Sequence, residues 1–549
     1  DDPNPTAVES GQMILPTDTG AVIAAVATDL DDQFASFSNR AGVAAEFTLA
    51  APGVGVRTTV QNGGYGTGGG TSLSAPFIVG AIALLMEAFP NLTSREITEI
   101  LFATATDLGA PGVDIESGHG LLNVEAAFQP LGMTTVAVLG STGMTFVPVD
   151  GSGMIVGDAF GDAFSGSFTD VLMLDSYDRS FFIDFSDKMA SRRLGLGLGA
   201  HFDSARAHGG FSLDLGAADL GLSYYDRFRD RRHLALALPA SAQTTMSIER
   251  PAFNFKVQGP AGFEFNLAYG LAPQYVLTDA DENRVMSGFL IPGLRLMDGM
   301  GIDRARETFA VSRTLDTKSR ISFATTRSRY DLRAVAGLLG SRNGIAESVT
   351  TMMRIERDWG KARLALTSGA LIEKGSVLGT LSSGALSLGR GATTLFSDVS
   401  LSTTTKGGLS LMARAAGGFT RVQGHSGSLI DDISSLTSLS FGAAASQTRI
   451  FNKSDRLGLA FSSPLRIESG RLGLTLPSGR DYQADRILFT GSNNSLKPSA
   501  RELNFELFYA WAPRPTTELE LNLVHQINPG HSNRFGNKSA VVLRSRTRF

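Results

Sequence analysis

Ser72 is the residue around which chemistry can be built. It stands in GGGTSLSAPFIVG, residues 68–80, between a glycine-rich loop and an apolar stretch. That stretch, APFIVGAIALLMEAF (75–89), is long enough for a helix and apolar on nearly every face, so a central buried helix is expected. A serine in its first turn lies where unpaired backbone N–H groups and the positive end of the helix dipole converge. Such groups stabilise an oxyanion beside the hydroxyl, and the glycines at 68–70 let a substrate backbone come close. The chemistry would be acyl transfer through an acyl-enzyme on the serine. The same placement also suits a simple N-cap serine.

A serine nucleophile needs a base. The first histidine is His119, forty-seven positions downstream, inside the turn-like SGHG, where a structural role is expected. His201, His208, His233, His425, His525 and His531 follow without metal-ligand spacing such as H-E-x-x-H. The chain contains no cysteine, which excludes a disulfide framework and any cysteine metal site.

The elements around the serine are legible. AVIAAVA (21–27) reads as a buried strand, FTLAAPGV (47–54) as another apolar stretch broken by Pro-Gly near its end, and QNGGYGTGGG (61–70) as a glycine-rich loop. NLTSREITEILFATA (91–105) reads as a helix. Thr93 and Glu96 form a capping box there, and Ile97, Ile100 and Leu101 mark its buried face.

Taken together, GTSLSAPFIVGAIALL, AVIAAVATDLDDQFASFSNRAG (21–42), LAAPGV (49–54) and SGHGLLNVEAAF (117–128) resemble, in order, segments of the subtilisin-like serine proteases. The resemblance covers about residues 10–128. It implies Ser72 as nucleophile, with its own N–H as one oxyanion donor and a peptide or protein as substrate. It also implies an Asp, a His and an oxyanion Asn upstream of Asp1. Asn4 lacks the expected context and is not assigned that role. The chain begins at Asp1 and shows no signal peptide, so a processed, truncated or fragmentary N-terminus is expected, inactive as it stands. No organic cofactor is implied. Calcium often stabilises this family, but no loop can be assigned to it.

Charge divides the chain. Residues 1–128 hold 3 Lys and Arg against 15 Asp and Glu, whereas the remainder holds 46 against 38. Two physically different regions are expected, and the acidic first one argues against nucleic acid as a partner. Residues 129–190 read as a linker and pre-barrel segment. Phe160, Phe164 and Phe168 there fall at helical spacing, and Asp175, Asp178, Arg179 and Asp184 suit a solvated strand face with local ion pairs.

From 191 to 549 the period becomes two. RLGLGLGAHF (193–202), FEFNLAYG (263–270), RISFATTRS (320–328) and SLTSLSFGAAAS (435–446) alternate. The clearest hairpin is LNFELFYAWAPRPTTELELNLVHQ (503–526), with Leu503, Phe505, Leu507, Tyr509 and Trp511 on one face and Asn504 and Glu506 on the other. In the last strand Arg544, Arg546 and Arg548 share one face, opposite Glu518 and Glu520 of the preceding strand, so cross-strand ion pairs on a polar inner face are expected.

A soluble sandwich or an outer-membrane barrel fits this pattern. Strand length, the inward charges and the terminal Phe549 favour the barrel, and the region resembles the translocator of autotransporters, which implies about twelve strands. The expected fold class is therefore multidomain: a partial α/β subtilisin-like domain (1–128), a pre-barrel segment (129–190) and a mainly antiparallel outer-membrane β-barrel (191–549). The expected function is a serine endopeptidase exported or anchored at the outer membrane of a Gram-negative bacterium, or secreted. The alternatives are a non-catalytic surface barrel with a decayed protease half-domain, and a soluble protease with an accessory β domain.

Overall fold

The computed structural model describes residues 22–191, 206–214, 219–226, 252–271, 273–277, 285, 288–291, 293–294, 305–331, 345–424, 427–514 and 516–547. The chain forms two units. The first runs to Val136 and takes in Leu172–Phe182 and Ser478–Leu488; the second holds the rest.

In the first unit, β1 (Ala24–Thr28) pairs in parallel with β2 (Thr48–Pro52), with Ala24 opposite Thr48. Hairpin strands β3 (Val56–Val60) and β4 (Gly64–Gly68) follow, then helices α1 (Thr71–Ala88), α2 (Ser94–Thr104) and α3 (Val124–Ala127). Leu49 and Ala51 of β2, Ile78, Ala81 and Leu85 of α1, and Ile97, Ile100 and Leu101 of α2 share one core. The capping box is present: Thr93 Oγ1 accepts from the Glu96 N–H (3.3 Å), and the Thr93 N–H donates to Glu96 Oε2 (2.7 Å).

Three expectations need correction in this unit. The glycine-rich 61–70 is not all loop: Gly64–Gly68 is a strand, and the turn before it uses Asn62 and Gly63 at φ 67° and 77°, the left-handed region that an Asn-Gly pair tolerates. Helix α1 is not buried all round. Ile78, Ala81 and Leu85 face the core at helical spacing, while Phe77, Val79, Leu84 and Met86 are 43–62% exposed, because no described element of the unit lies over them. By length and composition α1 could cross a bilayer, but its Ile78–Ala81–Leu85 stripe is built into the core. Finally, Asp175 and Arg179 are not on a solvated face. Both side chains are fully buried, paired at 2.7 Å, and Arg179 also donates to the carbonyls of Ala127 (2.5 Å) and Gln129 (2.8 Å) beneath the rings of Phe89 and Phe181. A tight turn over 175–179 brings the carboxylate back onto the guanidinium.

The closing turn is tightly fitted. Gly120 holds φ 105°, and a Cβ there would overlap the carbonyl oxygen of Thr106. Gly120→Ala is expected to cost about 1–3 kcal/mol from backbone strain, read as faster hydrogen exchange across 105–121.

In the second unit, fifteen described strands form one sheet from Arg206–Asp214 to Lys538–Thr547, each antiparallel to its neighbour, against the dozen that the resemblance implies. Most neighbours in the sheet are consecutive strands of the chain. No pairing between the first and last strands is seen among the described residues. The hairpin Leu503–Arg514 and Thr517–Ile527 forms as expected, with Leu503 opposite Ile527.

The two faces of this sheet are unlike. Asn504, Glu506, Asn522, Thr394, Asp398, Arg414 and Arg354 are buried, several in ion pairs such as Arg354–Glu356 at 2.9 Å. Phe505, Leu507, Leu395, Val399, Leu366, Phe323 and Leu543 are exposed. Glu520 pairs with Arg544 at 2.7 Å as expected. The side chains of Arg546 and Arg548, residue Phe549 and the stretch 193–202 lie outside the described residues.

Phe160, Phe164 and Phe168 are buried in this unit but not on a helix. A short 3-10 turn over Asp158–Phe160 ends at Gly161 (φ 49°), whose neighbours Gly530 and His531 leave no room for a side chain.

Candidate active site

The serine is positioned by a ladder of backbone hydrogen bonds. Gly53 N–H donates to Thr28 O at the end of β1, and Gly70 N–H donates to Gly53 O, both at 2.8 Å. This ties the loop before α1 to the ends of β1 and β2. Gly53 must be glycine here, since a Cβ would meet Ala27 Cβ at 2.5 Å and overlap Ser74 Oγ. Gly70 then forms the N-cap of α1 at φ 148°, ψ 153°, with no side chain capping the helix.

Ser72 is the second residue of α1 and is exposed. Its N–H has no acceptor four residues back within the helix. Apart from Gly70's own chain neighbours, a Cβ built on Gly70 would have only Ser72 N within 4 Å, at 3.9 Å. An exposed hydroxyl beside a free N–H at a helix N-terminus can take part in acyl transfer, with the N–H and the dipole opposing charge on the oxyanion. Ser74, two residues on, is fully buried and its Oγ has no partner, so the two serines of the motif are physically distinct.

His119 does not meet Ser72. Its ring stacks on Phe102 (centroids 4.0 Å apart, planes within 4°), its Nε2 donates to the Glu46 carbonyl at 3.2 Å, and its N–H donates to Thr48 O at 3.0 Å. It holds the closing turn. Nearby carboxylates are also engaged in turns. Asp29 Oδ1 accepts from the N–H groups of Asp31 and Gln33, both at 2.9 Å. Among the described residues no group of His, Asp and Glu could hold a metal ion.

Asp114 closes the turn that carries His119, accepting from the N–H groups of Ser117 (2.6 Å), Glu116 (2.7 Å) and Ala110 (3.1 Å). Burial pushes its pKa up, but the Ser117, Glu116 and Ala110 bonds outweigh it and hold the carboxyl below its ordinary 3.8. Its contribution is therefore present above pH 3.8 and is lost as pH falls through the lower folded value. Hydrogen exchange of 110–118 is expected to accelerate below that pH in the native chain, and to be fast and far less pH-dependent in Asp114→Asn.

The glycine ladder through Gly53 and Gly70 was not apparent from residue types. The Pro-Gly at 52–53 and the glycine run at 68–70 were its only signals.

Residues 4–120 match the Subtilase family (Peptidase_S8), and residues 365–549 match the Carbohydrate-selective porin, OprB family. Serotype-specific antigen 1 of Mannheimia haemolytica is 42% identical over 113 residues, 19% of this chain and 12% of that protein. Subtilisin DY of Bacillus licheniformis is 40% identical over 114 residues, 21% of this chain and 39% of that protein. The chain thus spans well under half the length of these relatives. The self-cleaved protease domain of PatA is 27% identical, covers 20% of this chain and 40% of its own, and has a TM-score of 0.18. The first part of the chain is therefore a subtilisin-like serine protease region, and it is followed by a large antiparallel β region.

Proposed function

We propose that the chain is part of a subtilisin-type serine endopeptidase whose β region spans the outer membrane as a barrel and holds or exports the protease at the cell surface. One observation carries the catalytic half: within a region similar to the subtilases, Ser72 is exposed in the first turn of α1, whose N-terminus no side chain caps. In this mechanism Ser72 Oγ attacks the scissile carbonyl carbon. Its proton passes to a histidine contributed by a segment outside residues 1–549, which an aspartate orients. The oxyanion is met by the Ser72 N–H and the helix dipole. The histidine then protonates the leaving amine, and water hydrolyses the acyl-enzyme. Without that histidine the hydroxyl keeps its proton, and residues 1–549 alone do not turn over peptides.

The polarity of the sheet supports the barrel. A soluble sandwich buries its apolar face, whereas this sheet buries Glu506, Asn522 and Arg354 and exposes Phe505, Leu395 and Val399. Lipid is the solvent that makes such a surface stable. A second reading, a barrel that passes solutes beside an idle protease region, is favoured only by the porin-family match over 365–549.

Expressed from its full reading frame and treated with diisopropyl fluorophosphate, the protein is expected to carry one adduct, on the peptide containing Ser72. It should also migrate differently in detergent gels before and after boiling. A folded chain that takes up no reagent would leave only the second reading.

A further inference from the structure

Of the described residues between Tyr269 and Ala305, none belongs to a strand of the sheet. The described part of this stretch lies on the sheet's buried, polar face. Leu271, Val285, Phe289, Leu290, Ile291 and Leu294 are all buried. The segment is rooted between Phe263–Tyr269 and Ala305–Asp316, the fourth and fifth strands of the sheet order. Its contacts lie elsewhere. Val285, Phe289, Ile291 and Leu294 form a cluster with Met412, Ala444, Ala460, Phe508 and Val524, which belong to the tenth to fourteenth strands. The described residues of the segment thus pack on strands five or more places from the two that flank it.

Polar groups hold it there. Glu506 Oε2 accepts from the N–H groups of Leu290 (2.6 Å) and Ile291 (2.9 Å), and its Oε1 accepts from Asn522 Nδ2 (2.7 Å). Asn522 Nδ2 and Arg544 also donate to Gly288 O, at 2.6 and 3.3 Å. Phe289 meets Phe508 edge-on, with centroids 4.7 Å apart. The fit leaves little slack: Gly288 adopts φ 114° with the Phe508 ring 3.0 Å from where its Cβ would be, and a Cβ on Gly442 would lie 2.7 Å from Leu294. A buried carboxylate is costly unless its oxygens are satisfied, so Glu506 and the segment stabilise each other.

We infer that Gly288–Ile291, with Gly293 and Leu294, form an internal plug latched by Glu506, which keeps the barrel closed to ions and small hydrophilic solutes. This rests on the barrel reading above. Its cluster is apolar, as a water-excluding constriction requires, whereas the same face elsewhere carries Arg354, Glu356, Asp398 and Arg414. On the plug itself Glu506 bonds only backbone N–H groups, so the plug can leave without altering any strand pairing.

Conductance of the full chain in planar lipid bilayers tests this. Native protein is expected to insert with low conductance. Glu506→Ala, and separately the double variant Phe289→Ser with Ile291→Ser, are expected to raise it several-fold. The double variant leaves every sheet residue intact and decides the matter if Glu506→Ala does not fold. Heat-modifiable gel mobility and insertion report the barrel independently. Inserted protein whose conductance neither variant changes overturns the plug alone. Protein that neither inserts nor shows heat-modifiable mobility overturns the barrel reading and the plug together.

Discussion

Ser72→Ala, made in the protein expressed from its full reading frame, is expected to abolish peptide hydrolysis. The size of the loss follows from the role. In subtilisin itself, from which the figure is taken, removing the nucleophile costs on the order of 10⁶ in kcat, and binding plus the oxyanion hole leave a small residue of rate. The folded state should hardly notice. Ser72 is exposed, so stability is expected to stay within about 0.5 kcal/mol. Ser74→Ala should behave in the opposite sense. It removes a buried hydroxyl with no partner, so activity is retained and stability is unchanged or slightly higher. Steady-state kinetics and thermal unfolding of the two variants separate nucleophile from neighbour. If Ser72→Ala kept native kcat, the acyl-enzyme assignment would be wrong.

Val399→Arg is expected to destabilise the β region by about 2–4 kcal/mol in lipid, the cost of arginine near the bilayer midplane on a barrel's outer face. Val399 lies near the middle of Gly391–Thr404, is 45% exposed, and sits opposite Leu366, itself exposed. Were that face in water, an exposed valine replaced by arginine would change stability by no more than about 0.5 kcal/mol. The same substitution therefore has a large effect under one architecture and almost none under the other. Urea unfolding in phospholipid vesicles, native against Val399→Arg, reads the difference. A change near zero would return the β region to a soluble fold.

What could be read in the residues, and what could not, has a physical pattern. Local signals held: the Thr93–Glu96 capping box, the Leu503–Ile527 hairpin, and the Glu520–Arg544 pairing all depend on near neighbours or on strict alternation. Non-local facts were hidden. Alternation says that Phe505 and Glu506 point opposite ways, but not which of them is buried, because a period of two is the same in water and in lipid. The exposed side of α1 could not be seen either, since an all-apolar helix carries no mark of which face meets the core. Asp175 and Arg179 looked like ordinary surface charges; their burial depends on carbonyls fifty residues away at Ala127 and Gln129. The spacing of Phe160, Phe164 and Phe168 mimicked a helix, but Gly161 at positive φ ends the turn after three residues. In the site itself, the motif located Ser72, while the Gly53 and Gly70 ladder that presents it is made of backbone bonds that no side-chain pattern encodes.

The central claim is that one polypeptide carries a catalytic serine and holds it at the outside of a cell through a lipid-facing sheet. The most direct measurement is hydrolysis of a membrane-impermeant fluorogenic peptide by intact Gram-negative cells expressing the full reading frame. Intact cells are expected to cleave it, Ser72→Ala cells are not, and the polypeptide bearing Ser72 should be recovered from the outer-membrane fraction. Activity that survives Ser72→Ala, or that appears only in lysed cells with no chain in that fraction, would contradict the account.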